Sequence, residues 1–188
     1  FAVFAGHKTL YATFGIAGFI CNGNIKPKPL IFGGAGLDSA NPKVPETIPE
    51  RYEVGSQNIM AIAGLHAALT WIKKIDIDFI HLKEKENLKK LLNILSDYAN
   101  IKIIIPGDSV ECTGIVSCTF DDYSSDNIGQ ILSEQGVEVR TGLHCAPFAH
   151  KFLGTFPAGT VRFSVGFFNS DDDFTMLRQA LNYICENG

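Results

Sequence analysis

Short apolar runs and longer periodic segments divide the first hundred residues between predicted strands and predicted helices. Uninterrupted apolar runs at 1–4 and 16–21 are typical of strands that a sheet buries on both faces. Apolar positions at helical spacing predict a helix through 59–72, capped by Ser56, and a second helix over about 78–98 with lysine and glutamate on its solvated face. This part of the chain therefore has the pattern of an α/β layer followed by a helical connector.

The pattern changes beyond residue 100, where short strands alternate with helices. The last helix has Ser170 before it and Asp173 within its first turn, a pair that predicts a capping box. A short solvated helix is expected around His150 and Lys151. This order predicts a small α+β unit, with a boundary that divides the chain into domains 1–75 and 76–188. The predicted strands are 101–105, 115–120, 137–140 and 160–165, and the predicted helices are 124–135 and 171–186.

Composition and charge exclude several classes of function. A chain of 188 residues that is 46% hydrophobic can bury a core, and a net charge of -4 without a basic patch excludes nucleic-acid binding. The apolar first 21 residues lack a basic leader region, so neither a signal peptide nor a membrane segment is expected. The five cysteines are odd in number and form no C-x-x-C pair, which favours a reducing, cytoplasmic location over disulfides or a metal site.

The segment 139–147 carries the clearest candidate for chemistry, Cys145. The thiol follows Gly142 in a predicted loop and lies between Arg140 and His144 along the sequence. A thiol reacts as the thiolate, which neighbouring cationic or protonatable groups favour, and a loop gives it access to a substrate. The sequence therefore presents Cys145 as a nucleophile, with a buried structural cysteine as the alternative.

Two cationic residues are further candidates. Lys8 directly follows a predicted strand and His7, a position from which a lysine can form a Schiff base; an exposed loop lysine is the alternative. Arg162 lies in the predicted strand 160–165, on the face opposite Val161 and Phe163. There its guanidinium can bind a carboxylate through two parallel hydrogen bonds, and a surface ion pair is the alternative.

Taken in order, four motifs of the chain resemble those of class V aminotransferase-type cysteine desulfurases. The resemblance implies the C-terminal part of a fold type I transferase that depends on pyridoxal 5′-phosphate (PLP), with the end of the large α/β domain at 1–75 and a connecting helix and small α+β domain at 76–188. It also implies conversion of L-cysteine to L-alanine with transfer of sulfur to an enzyme cysteine. The motifs are Gly6-His7-Lys8, Tyr52-Glu53-Val54-Gly55-Ser56-Gln57-Asn58-Ile59, Arg140-Thr141-Gly142-Leu143-His144-Cys145-Ala146-Pro147 and Thr160-Val161-Arg162-Phe163-Ser164.

The same resemblance implies a role for each matching residue. In the family, the cofactor is held covalently at the position of Lys8, beside that of His7, and the nucleophile stands at the position of Cys145. The resemblance also implies a homodimer, in which Gly55 and Ser56 reach the cofactor phosphate of the partner subunit. It further implies a second protein that accepts the sulfur. The other implied roles are phosphate binding by Gly55 and Ser56, substrate carboxylate binding by Arg162 and Arg140, and proton donation near the thiol by His144.

Two departures from the family pattern affect these expectations. Ala5 replaces a usual serine or threonine, which removes one phosphate contact. The chain also begins without methionine inside an apolar run, so we expect it to be a piece of a longer polypeptide and inactive by itself. Three alternatives remain: a selenocysteine lyase that acts on L-selenocysteine, a class V aminotransferase or C–S lyase in which Cys145 is incidental, and an interaction half-domain without catalysis.

Overall fold

The computed structural model describes residues 1–23, 26–34, 36, 40–104 and 112–187. The chain divides into two compact units, Phe1–Ile77 and Asp78–Gly188. We describe each unit by itself.

The first unit opens with two antiparallel strands, β1 (Ala2–Ala5) and β2 (Ala17–Ile20), close to the positions that the apolar runs predict. Burial of both faces, however, is wrong: Val3 is 74% exposed and Ile20 is 66% exposed. Within the described residues the two strands pair only with each other.

Helix α1 (Ile59–Ile75) completes the first unit, and its cap differs from the prediction. Asn58, not Ser56, is the N-cap residue, and its side-chain oxygen accepts a hydrogen bond from the amide of Ala61 at 3.1 Å. An asparagine at this position satisfies a helical N–H that would otherwise lack a partner. The predicted apolar face is only partly covered, since Ile72 is buried and Ile59 is 75% exposed. The described residues between β2 and α1 form no helix or strand.

The second unit is a four-stranded antiparallel sheet with helices, preceded by the long helix α2. The strand order is β3-β4-β6-β5, with antiparallel pairing throughout. In chain order the elements are α2 (Ile77–Ser96), β3 (Ile101–Ile104), β4 (Ile115–Phe120), α3 (Ser125–Glu134), β5 (Arg140–Gly142), α4 (Pro147–Leu153), β6 (Thr160–Ser164) and α5 (Asp171–Glu186).

One face of this sheet builds the hydrophobic core together with α2, α3 and α5. Because side chains alternate along a strand, Val161 and Phe163 of β6 point into the core while Arg162 lies on the other face. Burial raises the pKa of the Cys118 thiol on β4 to about 12, so this cysteine stays protonated and serves as packing. The deeply buried hydrophobic side chains of this core include Leu91, Leu95, Val116, Cys118, Ile128, Leu132, Val161 and Leu181.

Most predicted elements of this unit are confirmed, and one strand is displaced. The prediction of a strand at 137–140 is wrong because Val137 is still tied to the end of α3 through the carbonyl of Leu132, and pairing with β6 begins only at Arg140. The last position of the predicted strand 101–105, Ile105, lies outside the described residues. The carboxylate of Asp173 accepts the amide hydrogen of Ser170 at 2.9 Å, as the predicted cap requires.

The helices of the described ranges were compared in length and apolar character with what a membrane span needs. None of their helices combines the length and the apolar character needed to cross a bilayer.

Candidate active site

The loop that joins β5 to α4 holds Cys145 in an uncommon backbone conformation. His144 and Cys145 have φ values of 50° and 61°, the left-handed region that costs an L-residue roughly 1–3 kcal/mol. Gly142 enters this loop at φ 90°, and a Cβ on Gly159 would stand 2.4 Å from the Gly142 backbone, so both glycines are required by geometry. The Cys145 side chain is exposed, which rules out the structural alternative of a core cysteine.

An arginine pair lies beside this thiol. The Nη2 atom of Arg140 is 3.8 Å from the Sγ atom of Cys145. The strand register places Arg140 directly opposite Arg162, and like charges at opposed positions of a sheet destabilise it. The Nε atom of Arg162 is buried and has no hydrogen-bond partner among the described residues. Two arginines at paired strand positions, one of them with an unused buried donor, can bind an anion.

The imidazole of His144 contacts a residue of β6. Its Nε2 atom lies 2.9 Å from the hydroxyl oxygen of Thr160, a residue that is only 1% exposed. Burial is the largest cause that lowers the pKa of His144, followed by the positive charge of Arg162. His150 and Arg140 add smaller contributions in the same direction. Because its pKa is lowered, the imidazole is neutral at pH 7.

The lowered pKa of His144 makes the stability of the fold depend on pH. As the pH falls, the imidazole is protonated in the unfolded chain near the ordinary histidine pKa of about 6.5, but only at a lower pH in the folded chain. The contribution of His144 to the free energy of unfolding is therefore fully present above the unfolded pKa and is lost as the pH falls through the folded pKa. We expect the difference in free energy of unfolding between the wild type and His144→Asn to shrink from pH 8 to pH 5. Chemical denaturation at each pH measures it, and a constant difference would contradict the assignment.

A second histidine, His150, lies next to His144 and was not among the site residues that the sequence predicts. His150 on α4 is 5% exposed, so the expected solvated position is wrong for this residue. Its ring centroid is 5.6 Å from that of His144, and its Nδ1 atom is 2.7 Å from the hydroxyl of Thr155. The exposed side of α4 carries Phe148 and Phe152, at 82% and 90% exposure. This helix therefore buries a histidine and exposes two aromatic side chains.

Lys8 lies in the first unit, at the turn directly after β1. Gly6 is buried, and a Cβ there would stand 2.7 Å from the side chain of Ile16, so the backbone approaches this residue, which directly precedes β2, before the turn. The Lys8 side chain is exposed and has no hydrogen bond or ion pair with any described residue. The ring of His7 stacks on that of Phe14 with centroids 4.7 Å apart. The amine of Lys8 is thus available for chemistry.

Gly55 and Ser56 precede α1 by a few residues. Gly55 has φ 81°, a conformation that favours glycine, and its amide donates to the carbonyl of Gly34 at 2.8 Å. The hydroxyl of Ser56 is exposed and has no partner within the described residues. The two residues lie next to the N-cap residue Asn58, so Ser56 flanks the helix without capping it.

The candidate residues that the sequence predicts thus lie in separate groups, one in the second unit and two in the first. Arg140, His144, Cys145 and Arg162 form one cluster in the second unit, joined by Thr160 and His150. In the first unit, Lys8 and His7 share one turn, and Gly55 and Ser56 share the approach to α1. No group of three or more metal-ligating side chains occurs in the described part of the chain.

The chain is similar in sequence to proteins of one known family. The family model for class-V aminotransferases matches residues 1–177. A probable cysteine desulfurase of Methanothermobacter thermautotrophicus is 30% identical, over 100% of this chain and 48% of the relative. The chain therefore spans about half the length of that relative.

Two solved structures extend the comparison to the fold. The apo cysteine desulfurase of Thermococcus onnurineus NA1 matches with a TM-score of 0.86 and 26% identity, over 99% of this chain and 47% of that one. A variant of C-DES with glycine covalently linked to its PLP cofactor matches with a TM-score of 0.71 and 21% identity, over 94% of this chain and 44% of that one. The predicted fold class, the C-terminal part of a fold type I transferase, is confirmed.

Proposed function

We propose that this chain, which belongs to the class-V aminotransferase family, is part of a PLP-dependent cysteine desulfurase that converts L-cysteine to L-alanine and collects the sulfur on Cys145. The relative from Methanothermobacter thermautotrophicus and the structural neighbour from Thermococcus onnurineus, both named as cysteine desulfurases, support the activity. One observation carries the proposal for this chain: an exposed thiol in a strained loop lies 3.8 Å from an arginine that faces a second arginine.

The residues of the first unit fit the cofactor. PLP is held by a primary amine, and Lys8 offers one that is exposed and unpaired within the described residues. His7 would lie beside the cofactor, and Gly55 and Ser56 would bind its phosphate, for which the free hydroxyl of Ser56 is a suitable donor. When bound, PLP accepts electrons from the carbon skeleton of the substrate. These residues support assignment of 1–75 to the large domain.

The cluster in the second unit would bind the amino acid and take its sulfur. Arg162 and Arg140 would hold the substrate carboxylate, and the buried Nε atom of Arg162 would then gain a partner. Cys145 would attack the substrate sulfur as a thiolate: an S–S bond forms, the C–S bond breaks, and its electron pair passes to the carbon skeleton. Arg140 would stabilise the thiolate, and His144, the neighbour of Cys145 in the loop, would act as the proton donor near the thiol that the family resemblance implies.

The proposal also covers partners and location. All five cysteines are free, as expected in a reducing compartment, and we place the protein in the cytoplasm as a homodimer that passes the sulfur to an acceptor protein. The exposed position of Cys145 supports such a transfer, since a second protein must reach the sulfur.

Lys8→Ala tests the cofactor assignment in the complete protein. Loss of the only proposed covalent attachment should remove the visible absorbance of bound PLP and stop alanine formation. Lys28→Ala, at another exposed lysine of the same unit, is the matched control and should retain both. Spectra after dialysis measure the effect, and a Lys8→Ala protein that retains the absorbance and the turnover of the wild type would overturn the assignment.

A further inference from the structure

Strand β5 carries Arg140 beside the Cys145 thiol with little support from its own sheet. It is three residues long, and among the described strands it pairs only with β6. This pairing sets Arg140 opposite Arg162, and like charges at opposed positions destabilise a sheet. The Nη2 atom of Arg140 nevertheless lies 3.8 Å from the Sγ atom of Cys145. A further contact that fixes β5 would therefore also fix the position of Arg140.

Thr141, the middle residue of β5, makes such a contact on the other face of the strand. Successive side chains of a strand point to opposite faces, so Thr141 lies with its partner Val161 on the core face, away from Arg140. Its hydroxyl donates a hydrogen bond to the Oδ1 atom of Asp126 on α3 at 2.8 Å. The same three residues thus present a cation to the thiol on one face and a threonine to α3 on the other.

Gly129 of α3 lets the strand come this close to the helix. A Cβ on Gly129 would stand 2.5 Å from the Cγ2 atom of Thr141, whereas the Cβ and Oγ1 atoms of Thr141 would be 3.7 and 3.8 Å away. Glycine inside a helix is normally less favourable than alanine, so this close approach gives a physical reason for the glycine. The helix itself is fixed in the core, where Ile128 and Leu132 are 0% exposed.

We propose that Thr141 is a positioning residue, which is held by Asp126 and Gly129 of α3 and thereby keeps Arg140 beside the Cys145 thiol. It acts through the strand, because a displacement of Thr141 from α3 also displaces the adjacent Arg140. The inference rests on the proposed function only for the role of Arg140 next to the nucleophile. Thr141 itself contacts neither substrate nor cofactor in this arrangement.

The charge preference of alkylation at Cys145 measures the position of Arg140 in the complete protein. Iodoacetate is an anion and iodoacetamide is neutral, but both react with the same thiolate. The ratio of their rates therefore reports the positive charge near the Sγ atom, while a change in thiolate content affects both rates equally. Mass spectrometry of the Cys145 peptide gives the two rates. The exposed Cys185 on α5 is an internal reference in the same sample.

Thr141→Ala removes both the hydroxyl and the methyl group that meet α3. We expect the iodoacetate-to-iodoacetamide ratio at Cys145 to fall by about threefold, because a unit charge a few ångströms away attracts an anion only modestly in water. Thr141→Ser keeps the hydroxyl and should retain the wild-type ratio. Thr119→Ala, at a half-buried threonine of β4 in the same sheet, is the matched control and should also retain it. An unchanged ratio in Thr141→Ala, or an equal fall in Thr119→Ala, would refute the positioning role.

Gly129→Ala tests the same contact from the side of the helix. The added Cβ meets the Cγ2 atom of Thr141 and should displace β5, so the ratio should fall although alanine favours a helix. Combining it with Thr141→Ser removes that Cγ2 atom, and the ratio should return to the wild-type value. A wild-type ratio in Gly129→Ala, or no recovery in the double variant, would contradict the proposal.

The two approaches keep the test decisive in every case. If Gly129→Ala does not fold, the result for Thr141→Ala decides. The alkylation ratios need neither PLP nor turnover of cysteine, so they can be measured even if the proposed desulfurase activity fails. Conversely, alanine formation by a protein in which Thr141→Ala leaves the ratio unchanged would retain the proposed function and reject only the role of Thr141.

Discussion

Replacing Cys145 by alanine in the complete protein is expected to lower alanine formation from L-cysteine by on the order of 1,000-fold or more, because the sulfur loses its acceptor. The visible absorbance of bound PLP should remain, since its proposed attachment at Lys8 lies elsewhere in the chain. Amino-acid analysis measures the alanine, and an absorption spectrum of the same sample measures the cofactor.

Cys185→Ala is the matched control for this result. Cys185 is the other exposed cysteine, lies on α5, and should be replaceable without loss of activity. If Cys145→Ala formed alanine at the wild-type rate, the thiol would be incidental and a C–S lyase or aminotransferase would be the better description. If neither the wild type nor any variant bound PLP, an interaction half-domain without catalysis would be favoured.

Arg162→Gln is expected to lower kcat/KM for L-cysteine by on the order of 100-fold, mainly through a higher KM, because a carboxylate loses a charged partner. The thermal midpoint should stay the same or rise, since the substitution removes one of two like charges that face each other across β5 and β6. Steady-state kinetics and a melting curve test the two halves of this prediction.

Lys102→Gln supplies the comparison for Arg162→Gln. Lys102 is an exposed cation on β3 of the same sheet, paired in register with Thr119. Its removal changes the net charge equally but should leave KM unchanged. Equal effects of the two substitutions would show that overall charge, not carboxylate binding, is responsible.

The elements of the second unit were predictable because local signals agree with burial there. Val161 and Phe163 alternate with Arg162, and the strand is buried on the side that the alternation predicts. The first unit shows the opposite: Val3 and Ile20 are as apolar as core residues, yet they are exposed, because burial depends on what packs against them and not on the strands themselves.

Only those site residues were predictable whose type and sequence neighbours already indicate a chemical role. Cys145 and Arg162 stand out in this way, and both lie in one cluster. Thr160 and His150 do not, because a threonine in a strand and a histidine in a short helix have ordinary explanations. Their importance comes from the antiparallel β5–β6 pairing and from the turn into α4, which bring them to His144.

The most direct test is the location of sulfur after reaction with L-cysteine. The complete protein is mixed with L-cysteine, its thiols are trapped with an alkylating reagent, and the peptides are identified by mass spectrometry. We predict one additional sulfur atom on Cys145 and none on Cys118 or Cys185. Alanine formation with an unmodified Cys145 peptide, or sulfur on another cysteine, would contradict the account.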